Sequence, residues 1–467
     1  MHKIMEMVKP KVIPPLDENF CPAVLWNHAF LDAIHSSGKG IPLLIGLERG
    51  DGSISVFETE VFPSGHGLAS LNLFYIERLV KMLLWQKGGY KIIIGGPEEI
   101  GEHIKKVYSP SGERVFDLNL MSTVYKKDFS VEVTDPEKVP SPSEPSLPLG
   151  RHLDGCRIGF DLGASDRKVT SVVEGEPVFS EEVAWDPQNK KDPRYHYHEI
   201  MSALHRAAAH LPSVDAIGCS AAGIYINNRV MVASLFRGVP SNLFQKKVRN
   251  LFLDVQKWWK VPLEVVNDGE VAALAGSMTL NVNRVLGIAM GSSQAGGYVN
   301  ENGNITGWLN ELAFAPVDFN PKAPWDEWSG DYGCGVNYFS QQAVFRLAEV
   351  VGIILDKSQS PVERLRAVQE LLKEKDTRAI KIFETIGCYL GYGIAHYADF
   401  YDFSHILILG RVASEEGGYI IVEKAKEVLK KEFPELESRI EIHLPDEWSR
   451  RVGQALAAAS LAVIESK

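Results

Sequence analysis

The most constraining feature of this sequence is an apolar segment that ends in Asn267 and Asp268 and continues as a run of small residues. Residues 263–266 have the pattern of a buried strand, and residues 269–275 have that of a helix. A carboxylate at the carboxyl end of a buried strand faces the ligand crevice of an open α/β sheet. Asp268 therefore suits a catalytic base that the positive end of a helix keeps ionised. A plain helix N-cap is the alternative, because Asn and Asp are frequent caps.

Length and charge limit the classes of protein to which this chain can belong. The chain has 467 residues, which suggests roughly two to four domains. Its 49 Lys and Arg against 60 Asp and Glu give a net charge of -11, which argues against nucleic acid or an anionic membrane as the main partner. The five cysteines are an odd number without a Cys-x-x-Cys pair, as expected in a reducing compartment. Since no long apolar run occurs, we expect neither a signal peptide nor a membrane span, and a cytoplasmic location.

Residues 1–133 are predicted to form an N-terminal α/β domain whose role the sequence does not indicate. Two strand-like runs flank Asp51-Gly52, which indicates a hairpin. Residues 69–86 have helical periodicity and end at Gly88-Gly89, in the manner of a glycine cap. Residues 134–152 contain five prolines and are predicted to be an extended linker between domains.

Glycine-rich turns follow buried strands in the rest of the chain. The run Asp161-Leu162-Gly163-Ala164-Ser165 follows one strand and could bring an Asp to a metal–phosphate complex, although most such turns have no ligand. Residues 220–223 (Ser-Ala-Ala-Gly) end another strand and leave room for a ligand, or form a simple turn. Residues 291–300 are predicted to be a loop whose backbone amides cradle phosphate oxygens.

The order of these segments resembles the ROK family (repressors, open reading frames and sugar kinases) of the actin-like ATPase superfamily. The resemblance covers about residues 155–467. Five segments carry it, namely 161–165, 267–268, 291–297, 307–312 and 405–412. Their order favours the catalytic interpretation of Asp268 over the plain cap.

The resemblance implies a fold, a reaction and a set of site residues. The fold is α/β, with two ribonuclease H-like lobes at 153–268 and 269–447, a cleft between them, and a C-terminal helix at 448–467 that completes the first lobe. The reaction is phosphoryl transfer from ATP to a sugar hydroxyl, with Asp268 as the general base and Mg²⁺ bound with the nucleotide near Asp161. The implied substrate-binding residues are Asn267, Glu311, Gly223 and Asn310. The implied nucleotide-binding residues are Asp161, Gly163, Ser165, Gly291, Ser292, Ser293, Gly296, Gly410 and Arg411. Many relatives are dimers, so the resemblance is compatible with a homodimer.

The sequence also departs from the family pattern. Family kinases have a zinc-binding cysteine-rich loop and a nearby histidine, but here the loop 327–336 keeps only Cys334 and the histidine position is Phe314. One thiolate cannot form a tetrahedral zinc site, so no structural zinc is expected there. A second sugar-binding glutamate of the family falls on Val336, and Arg411 replaces a glycine beneath the adenine.

Three functional hypotheses follow. The first is an ATP-dependent kinase of a sugar or sugar derivative, which the retention of Asp268 favours. The second is a ROK-like sensor that binds a sugar without catalysis, which the altered phosphate loop and Val336 favour. The third is a transcriptional regulator, which would need a basic DNA-reading helix that residues 1–133 do not show.

Overall fold

The computed structural model describes residues 8–144, 149–444 and 453–464. Its N-terminal unit is a mixed sheet in the order β2-β1-β3-β4. The strands are β1 (Ile41–Glu48), β2 (Ile54–Val61), β3 (Lys91–Gly95) and β4 (Ser130–Thr134), and the helices are α1 (Ala23–Ser37), α2 (Leu71–Lys87), α3 (Glu98–Val107) and α4 (Val115–Tyr125). Gly52 turns the predicted β1–β2 hairpin with a φ of 86°, which a residue with a Cβ rarely adopts.

Helix α2 is the central helix of this unit. It ends as the sequence predicts, where Gly88 takes a φ of 78° and its amide donates to the carbonyl oxygen of Leu84. Almost its whole circumference is buried, including Glu77, Arg78 and Lys81. A helix that is buried all round lies between two packed layers, and α2 lies between the N-terminal sheet and the second lobe.

The first lobe has the strand order of a ribonuclease H-like sheet, β11-β8-β5-β6-β7. Strands β5, β6 and β7 form an antiparallel meander, and β8 and β11 add parallel to β5. The strands are β5 (Cys156–Leu162), β6 (Asp166–Val173), β7 (Glu176–Ala184), β8 (Ala216–Ala221) and β11 (Leu263–Asn267), with β9 (Ile224–Ile226) and β10 (Arg229–Val232) in a separate hairpin. Helices α5 (Pro193–Ala208) and α6 (Leu251–Trp259) belong to the same lobe.

The C-terminal segment returns to this sheet. Helix α12 (Gln454–Ala459) lies within the predicted helix 448–467, of which 448–452 and 465–467 lie outside the described residues. The described residues 460–464 are not helical, so the prediction is corrected to a helix that ends at Ala459. Gly159 and Gly218 are register partners on β5 and β8. A Cβ on them would lie 1.9 Å from the carbonyl oxygen of Ala455 and 1.7 Å from that of Ala458. Both glycines therefore let the helix backbone rest directly on the sheet.

The sheet of the second lobe has four strands in the order β13-β12-β16-β17. As in the first lobe, an antiparallel pair (β12 and β13) is extended by parallel strands (β16 and β17). Its strands are β12 (Val285–Met290), β13 (Gln294–Val299), β16 (His405–Leu409) and β17 (Glu441–His443), with the small ribbon β14 (Trp325–Asp326) and β15 (Asp331–Tyr332). Its helices are α7 (Asp268–Leu280), α8 (Gln341–Val350), α9 (Pro361–Lys373), α10 (Thr377–Ala398) and α11 (Glu415–Glu432). The mixed α/β architecture with two ribonuclease H-like lobes and an added N-terminal α/β unit agrees with the sequence prediction.

The apolar core does not follow the predicted domain boundaries. One continuous cluster joins the N-terminal unit to the second lobe, and the first lobe has its own cluster. Aromatic contacts mark the junction: the rings of Trp26 and Phe319 lie 5.6 Å apart, and those of Trp85 and Phe314 lie 4.5 Å apart. The boundary near residue 133 stays a prediction.

The segment predicted as a linker is packed where the structure describes it. Ser143 and Ile54 exchange two backbone hydrogen bonds of 2.8 Å. The Glu144 carboxylate lies 3.8 Å from Arg49 and 3.6 Å from Lys87. Beyond the undescribed residues 145–148, the amide of His152 donates to the carbonyl oxygen of Ser460 at 3.0 Å. The described ends of the segment are thus attached to the N-terminal unit and to the C-terminal segment.

No helix within the described ranges combines the length and the apolar character that crossing a membrane would need.

Candidate active site

Asp268 lies at the junction of β11 and α7, as the sequence predicts. Asn267 is the N-cap, because its Oδ1 accepts from the amide of Gly269 at 2.8 Å. Asp268 is the first helical residue, and its Oδ1 accepts from the same amide at 3.0 Å. The cap and the candidate base are therefore two adjacent residues, which leaves one oxygen of the half-buried Asp268 carboxylate outside this bond.

A second carboxylate, Asp161, lies near the carboxyl end of β5, which is joined to β11 through β8. Asp161 belongs to β5, is 8% exposed, and accepts a hydrogen bond of 2.6 Å from the hydroxyl of Ser220 on β8. The side-chain amide of Gln454, at the start of α12, donates to the Ser220 hydroxyl at 2.9 Å and to the main-chain oxygen of Asp268 at 3.3 Å. Ser220 and Gln454 thus connect the two acids through the C-terminal helix.

A third carboxylate, Glu311, comes from the second lobe and is held by the N-terminal unit. The amide of Glu311 donates to the carbonyl oxygen of Trp85 at 3.0 Å, and that of Asn310 to the carbonyl oxygen of Gln86 at 2.9 Å. These carbonyls belong to the last turn of α2, where a helix lacks internal partners for its oxygens. The C-terminal end of α2 therefore fixes the backbone that carries Glu311.

The pKa values of these acids show that the charge of Asp268 acts on both of the other carboxylates. Burial, followed by the charge of Asp268, raises the pKa of Asp161 to about 6 against the opposing bond from Ser220. Burial and Asp268 likewise raise the pKa of Glu311 to about 7. Burial raises the pKa of Asp268 too, against the opposing bond from the Gly269 amide. Raised pKa values from burial and like charges are typical of functional sites, and such a group of carboxylates favours a bound cation or a transferred proton.

The first predicted phosphate turn is the hairpin between β5 and β6. The amide of Gly163 already donates to the carbonyl oxygen of Asp166 at 3.0 Å. The hydroxyl of the exposed Ser165 donates to the carboxylate of Asp166 at 2.9 Å. Any phosphate contact in this conformation would involve the outer part of the turn, at residues 164–165.

The second predicted phosphate loop is shorter than the sequence suggests. Residues 291–293 form a tight turn, in which the amide of Gly291 donates to the carbonyl oxygen of Ser293 at 3.0 Å. Ser292 and Ser293 are exposed. Gly296 instead lies buried within strand β13, where a Cβ would come within 2.7 Å of the carbonyl oxygen of Asn310. The expectation of a loop over 291–300 is corrected to a turn at 291–293 followed by strand β13, and a nucleotide contact of Gly296 stays a prediction.

Gly410 and Arg411 lie next to this turn. Gly410 directly follows β16 with a φ of 91°, and a Cβ on it would lie 2.4 Å from the carbonyl oxygen of Met290 at the end of β12. Arg411 is exposed, and its carbonyl oxygen accepts a hydrogen bond from the Gln369 side-chain amide at 2.9 Å. The carboxyl ends of the parallel strands β12 and β16 thus carry the Gly291 and Gly410 turns side by side.

Two predicted substrate residues have structural partners. The carbonyl oxygen of Gly223 accepts from the Asn267 side-chain amide at 2.8 Å, which orients Asn267. The buried side chain of Asn310 donates to Glu270, and its Oδ1 accepts from the Tyr401 hydroxyl at 2.7 Å. Both ends of the Asn310 amide thus have a buried partner, and its contact with substrate stays a prediction. Asn267 keeps one amide hydrogen for a ligand.

The loop that would carry zinc in the family is tied to the N-terminal unit by buried ion pairs. Asp331 lies 3.0 Å from Arg78, 3.3 Å from Lys81 and 3.1 Å from Arg114. We name this group the ionic cluster, and its members are Glu77, Arg78, Lys81, Arg114, Asp117 and Asp331.

The cluster contains three acidic and three basic side chains, so their formal charges sum to zero, and all six side chains are buried. Burial alone would lower the pKa of Lys81, but Asp117 and Asp331 outweigh it, so the pKa is raised. Near the cluster, burial raises the pKa of the Cys334 thiol to about 12, so this sulfur is protonated at neutral pH. Phe314, at the expected histidine position, packs against Trp85. The donor set of the loop does not fit zinc, and its absence from this loop stays a prediction.

Comparison with known proteins gives one family match. A family model described as ROK family matches residues 157–458. No curated protein matches the sequence. A ROK family transcriptional regulator, described as a homolog of the E. coli MLC protein, has a TM-score of 0.50 at 18% identity, over 66% of this chain and 79% of its own.

Two further solved structures cover a similar share of the chain. A ROK hexokinase from Thermus thermophilus has a TM-score of 0.50 at 17% identity, over 65% of this chain and 97% of its own. A ROK family glucokinase from Streptomyces griseus, in complex with glucose and AMPPNP, has a TM-score of 0.49 at 20% identity, over 66% of this chain and 99% of its own. At these identities the likeness concerns the fold.

Proposed function

Because this chain belongs to the ROK family, we propose that it transfers the γ-phosphoryl group of ATP to a hydroxyl group of a sugar or sugar derivative. The observation that carries this proposal is that the charge of Asp268 acts on Asp161 of the first lobe and on Glu311 of the second, and that all three acids have a raised pKa. The family contains sugar kinases as well as regulators, so membership does not decide the activity of this chain. The activity has to be inferred from the residues of the site instead.

The proposed roles follow from position and chemistry. Asp268 accepts the proton of the sugar hydroxyl while the hydroxyl oxygen attacks the γ-phosphorus and the bond to the β-phosphate oxygen breaks. Glu311 and the remaining amide hydrogen of Asn267 hold neighbouring hydroxyl groups. The outer parts of the 163–165 and 291–293 turns face the nucleotide phosphates. Asp161 would hold Mg²⁺, since carboxylate oxygens suit this ion, which neutralises phosphate charge when bound.

The position of α2 favours a second candidate, a sugar sensor without catalysis. The carbonyl oxygens of Trp85 and Gln86 accept hydrogen bonds from the amides of Glu311 and Asn310. A ligand on Glu311 would therefore change the stability of α2 in the N-terminal unit. The short 291–293 turn offers fewer amides to phosphate than a longer loop would. This candidate predicts sugar binding that changes α2 but no ADP release.

Asp268→Asn tests the kinase proposal. We expect the variant to lose sugar-dependent ADP release by roughly 10²–10⁴-fold, because the amide cannot accept the proton. The rise in melting temperature that a sugar causes should persist, since Asn retains the shape of Asp. The measurement is a thermal-shift screen against a sugar panel with and without MgATP, followed by an ADP assay on the sugars that bind.

The matched control is Asp254→Asn, which removes an exposed acid from α6 of the same lobe. Its ADP release and its rise in melting temperature with sugar should equal those of the wild type. Loss of sugar binding and turnover together in Asp268→Asn would contradict the role of a base. Sugar binding without ADP release in the wild type would favour the sensor. If neither sugar nor MgATP raises the melting temperature, both candidates fail.

A further inference from the structure

A group of potential metal ligands lies at the edge of the second-lobe sheet, away from the three carboxylates. His405 is the first residue of β16, and Glu441 and His443 are the first and last residues of β17. The strands are parallel, with His405 opposite Glu441 and Leu407 opposite His443. Because side chains two residues apart on a strand share a face, Glu441 and His443 extend to the same side of the sheet.

The distances among the three ligand atoms match a metal site. Nδ1 of His405 lies 3.1 Å from Nε2 of His443, and each nitrogen lies 3.7 Å from Oε2 of Glu441. A point in the plane of these atoms is about 2.0 Å from all three, and zinc lies at about 2.0–2.2 Å from nitrogen and carboxylate oxygen in proteins. A small displacement from the plane keeps these lengths and leaves a fourth position open.

We propose that His405, Glu441 and His443 bind one divalent transition metal ion, of which Zn²⁺ is the best match. Two imidazoles and a carboxylate are the ligands that zinc and its neighbours in the first transition row prefer, whereas Mg²⁺ and Ca²⁺ prefer oxygen alone. The site does not involve the loop 327–336, from which zinc is not expected.

The bound ion acts as a structural cross-link. Strand β17 has three residues and lies at the edge of the sheet, so few hydrogen bonds hold it there. A metal ion that joins β17 to β16 keeps the edge strand in register. His405 starts β16, whereas the proposed nucleotide turn at Gly410 follows its other end, which separates the metal from the proposed chemistry. The inference is therefore independent of the proposed function.

Strand β17, which carries two of the three ligands, also lines a pocket. This pocket, of about 370 Å³, adjoins Glu441 and His443. Its wall also includes Glu437 and Lys426. Water or a further oxygen ligand could complete a four-coordinate site.

Metal titration of the untagged full-length protein tests the site. Protein stripped of metal with a chelator is titrated with ZnCl₂ by calorimetry, and its melting temperature is recorded with and without one equivalent of Zn²⁺. We expect the wild type to bind one ion and to melt at a higher temperature when it is bound. His443→Gln and Glu441→Gln should each weaken binding by at least about 10-fold.

The matched control is His35→Gln, which removes one partner of an exposed pair whose His35 nitrogen lies 3.2 Å from the Glu60 carboxylate. Its zinc affinity should equal that of the wild type. Glu441 is 72% exposed, so Glu441→Gln leaves the fold intact even if His443→Gln does not. Equal zinc affinity in the wild type and in both site variants would overturn the proposal and would leave an ordinary hydrogen bond between two imidazoles.

Discussion

At the scale of single residues, the buried carboxylate of Glu311, the proposed ligand for a sugar hydroxyl, reduces the stability of the free protein. Its folded-state pKa is about 7, above its ordinary value of 4.5, because burial and the charge of Asp268 both disfavour the carboxylate. The folded chain therefore binds this proton more tightly than the unfolded chain. The free energy of unfolding falls as the pH rises from about 4.5 to 7 and stays lower above that range.

Glu311→Gln should remove this loss of stability. We expect the free energy of unfolding of the variant to exceed that of the wild type by about 1–3 kcal/mol at pH 8 and to equal it near pH 4. Urea unfolding at pH 4, 6 and 8 measures the difference. A variant stabilised at pH 8 should also lose its response to sugar if Glu311 binds a hydroxyl group.

The control is Glu423→Gln on the exposed side of α11, whose stability should follow that of the wild type at every pH. Parallel curves for Glu311→Gln and the wild type would contradict the effect of the buried carboxylate.

At the scale of secondary structure elements, α12 joins the candidate site to the end of the chain. Its backbone lies directly on β5 and β8 because Gly159 and Gly218 have no side chain in the way. Gln454 then reaches Ser220 and the backbone of Asp268. The small residues of α12 and the two glycines are thus parts of one packing arrangement.

Gly218→Ala should displace α12. A Cβ would lie 1.7 Å from the carbonyl oxygen of Ala458, so the helix must move, at a cost of about 1–3 kcal/mol or more. We expect a lower denaturation midpoint in urea and a reduced ligand response, because Gln454 moves with the helix. Gly65→Ala is the control, since no atom lies within 4 Å of its Cβ position. Equal midpoints for the two variants would show that α12 is not held this closely.

The same elements show what sequence could and could not predict. The hairpin at Gly52, the end of α2 at Gly88 and the β11–α7 junction at Asp268 follow from local residue preferences, so the sequence indicates them. Gly296 was expected in a loop because glycine favours turns, but its reason is tertiary, namely the close approach of the backbone at Asn310. Gln454 could not be foreseen as a partner of Ser220, since only the fold brings together residues so distant in sequence.

At the scale of the whole molecule, the N-terminal unit and the second lobe form one packed body. They share a continuous apolar core, and α2 is buried between them. Five of the six members of the ionic cluster belong to the N-terminal unit, with three bases against two acids, and Asp331 of the second lobe supplies the third acid. A buried ion pair adds little net stability over an apolar contact, but removal of one partner leaves an uncompensated buried charge. Assembly in the wrong arrangement is therefore strongly disfavoured.

Asp331→Asn should weaken the N-terminal unit and the second lobe together. The change removes one of three acids opposite Arg78, Lys81 and Arg114, and breaking a buried pair in this way costs about 3–5 kcal/mol. Hydrogen exchange under mild denaturant should then show faster exchange both in α2 and in residues 310–314, where the amides of Asn310 and Glu311 donate to carbonyl oxygens at the end of that helix.

The exposed pair of Glu102 and Lys105 on α3 provides the control, because Glu102→Gln alters a solvated charge and should leave the exchange pattern unchanged. If Asp331→Asn accelerates exchange in α2 while residues 310–314 keep their protection, the two parts open separately. The contacts from α2 would then not govern the backbone of Glu311. If both regions accelerate together, the N-terminal unit is part of the framework that positions this carboxylate, and a ligand that binds at the proposed site on Glu311 would in turn stabilise α2.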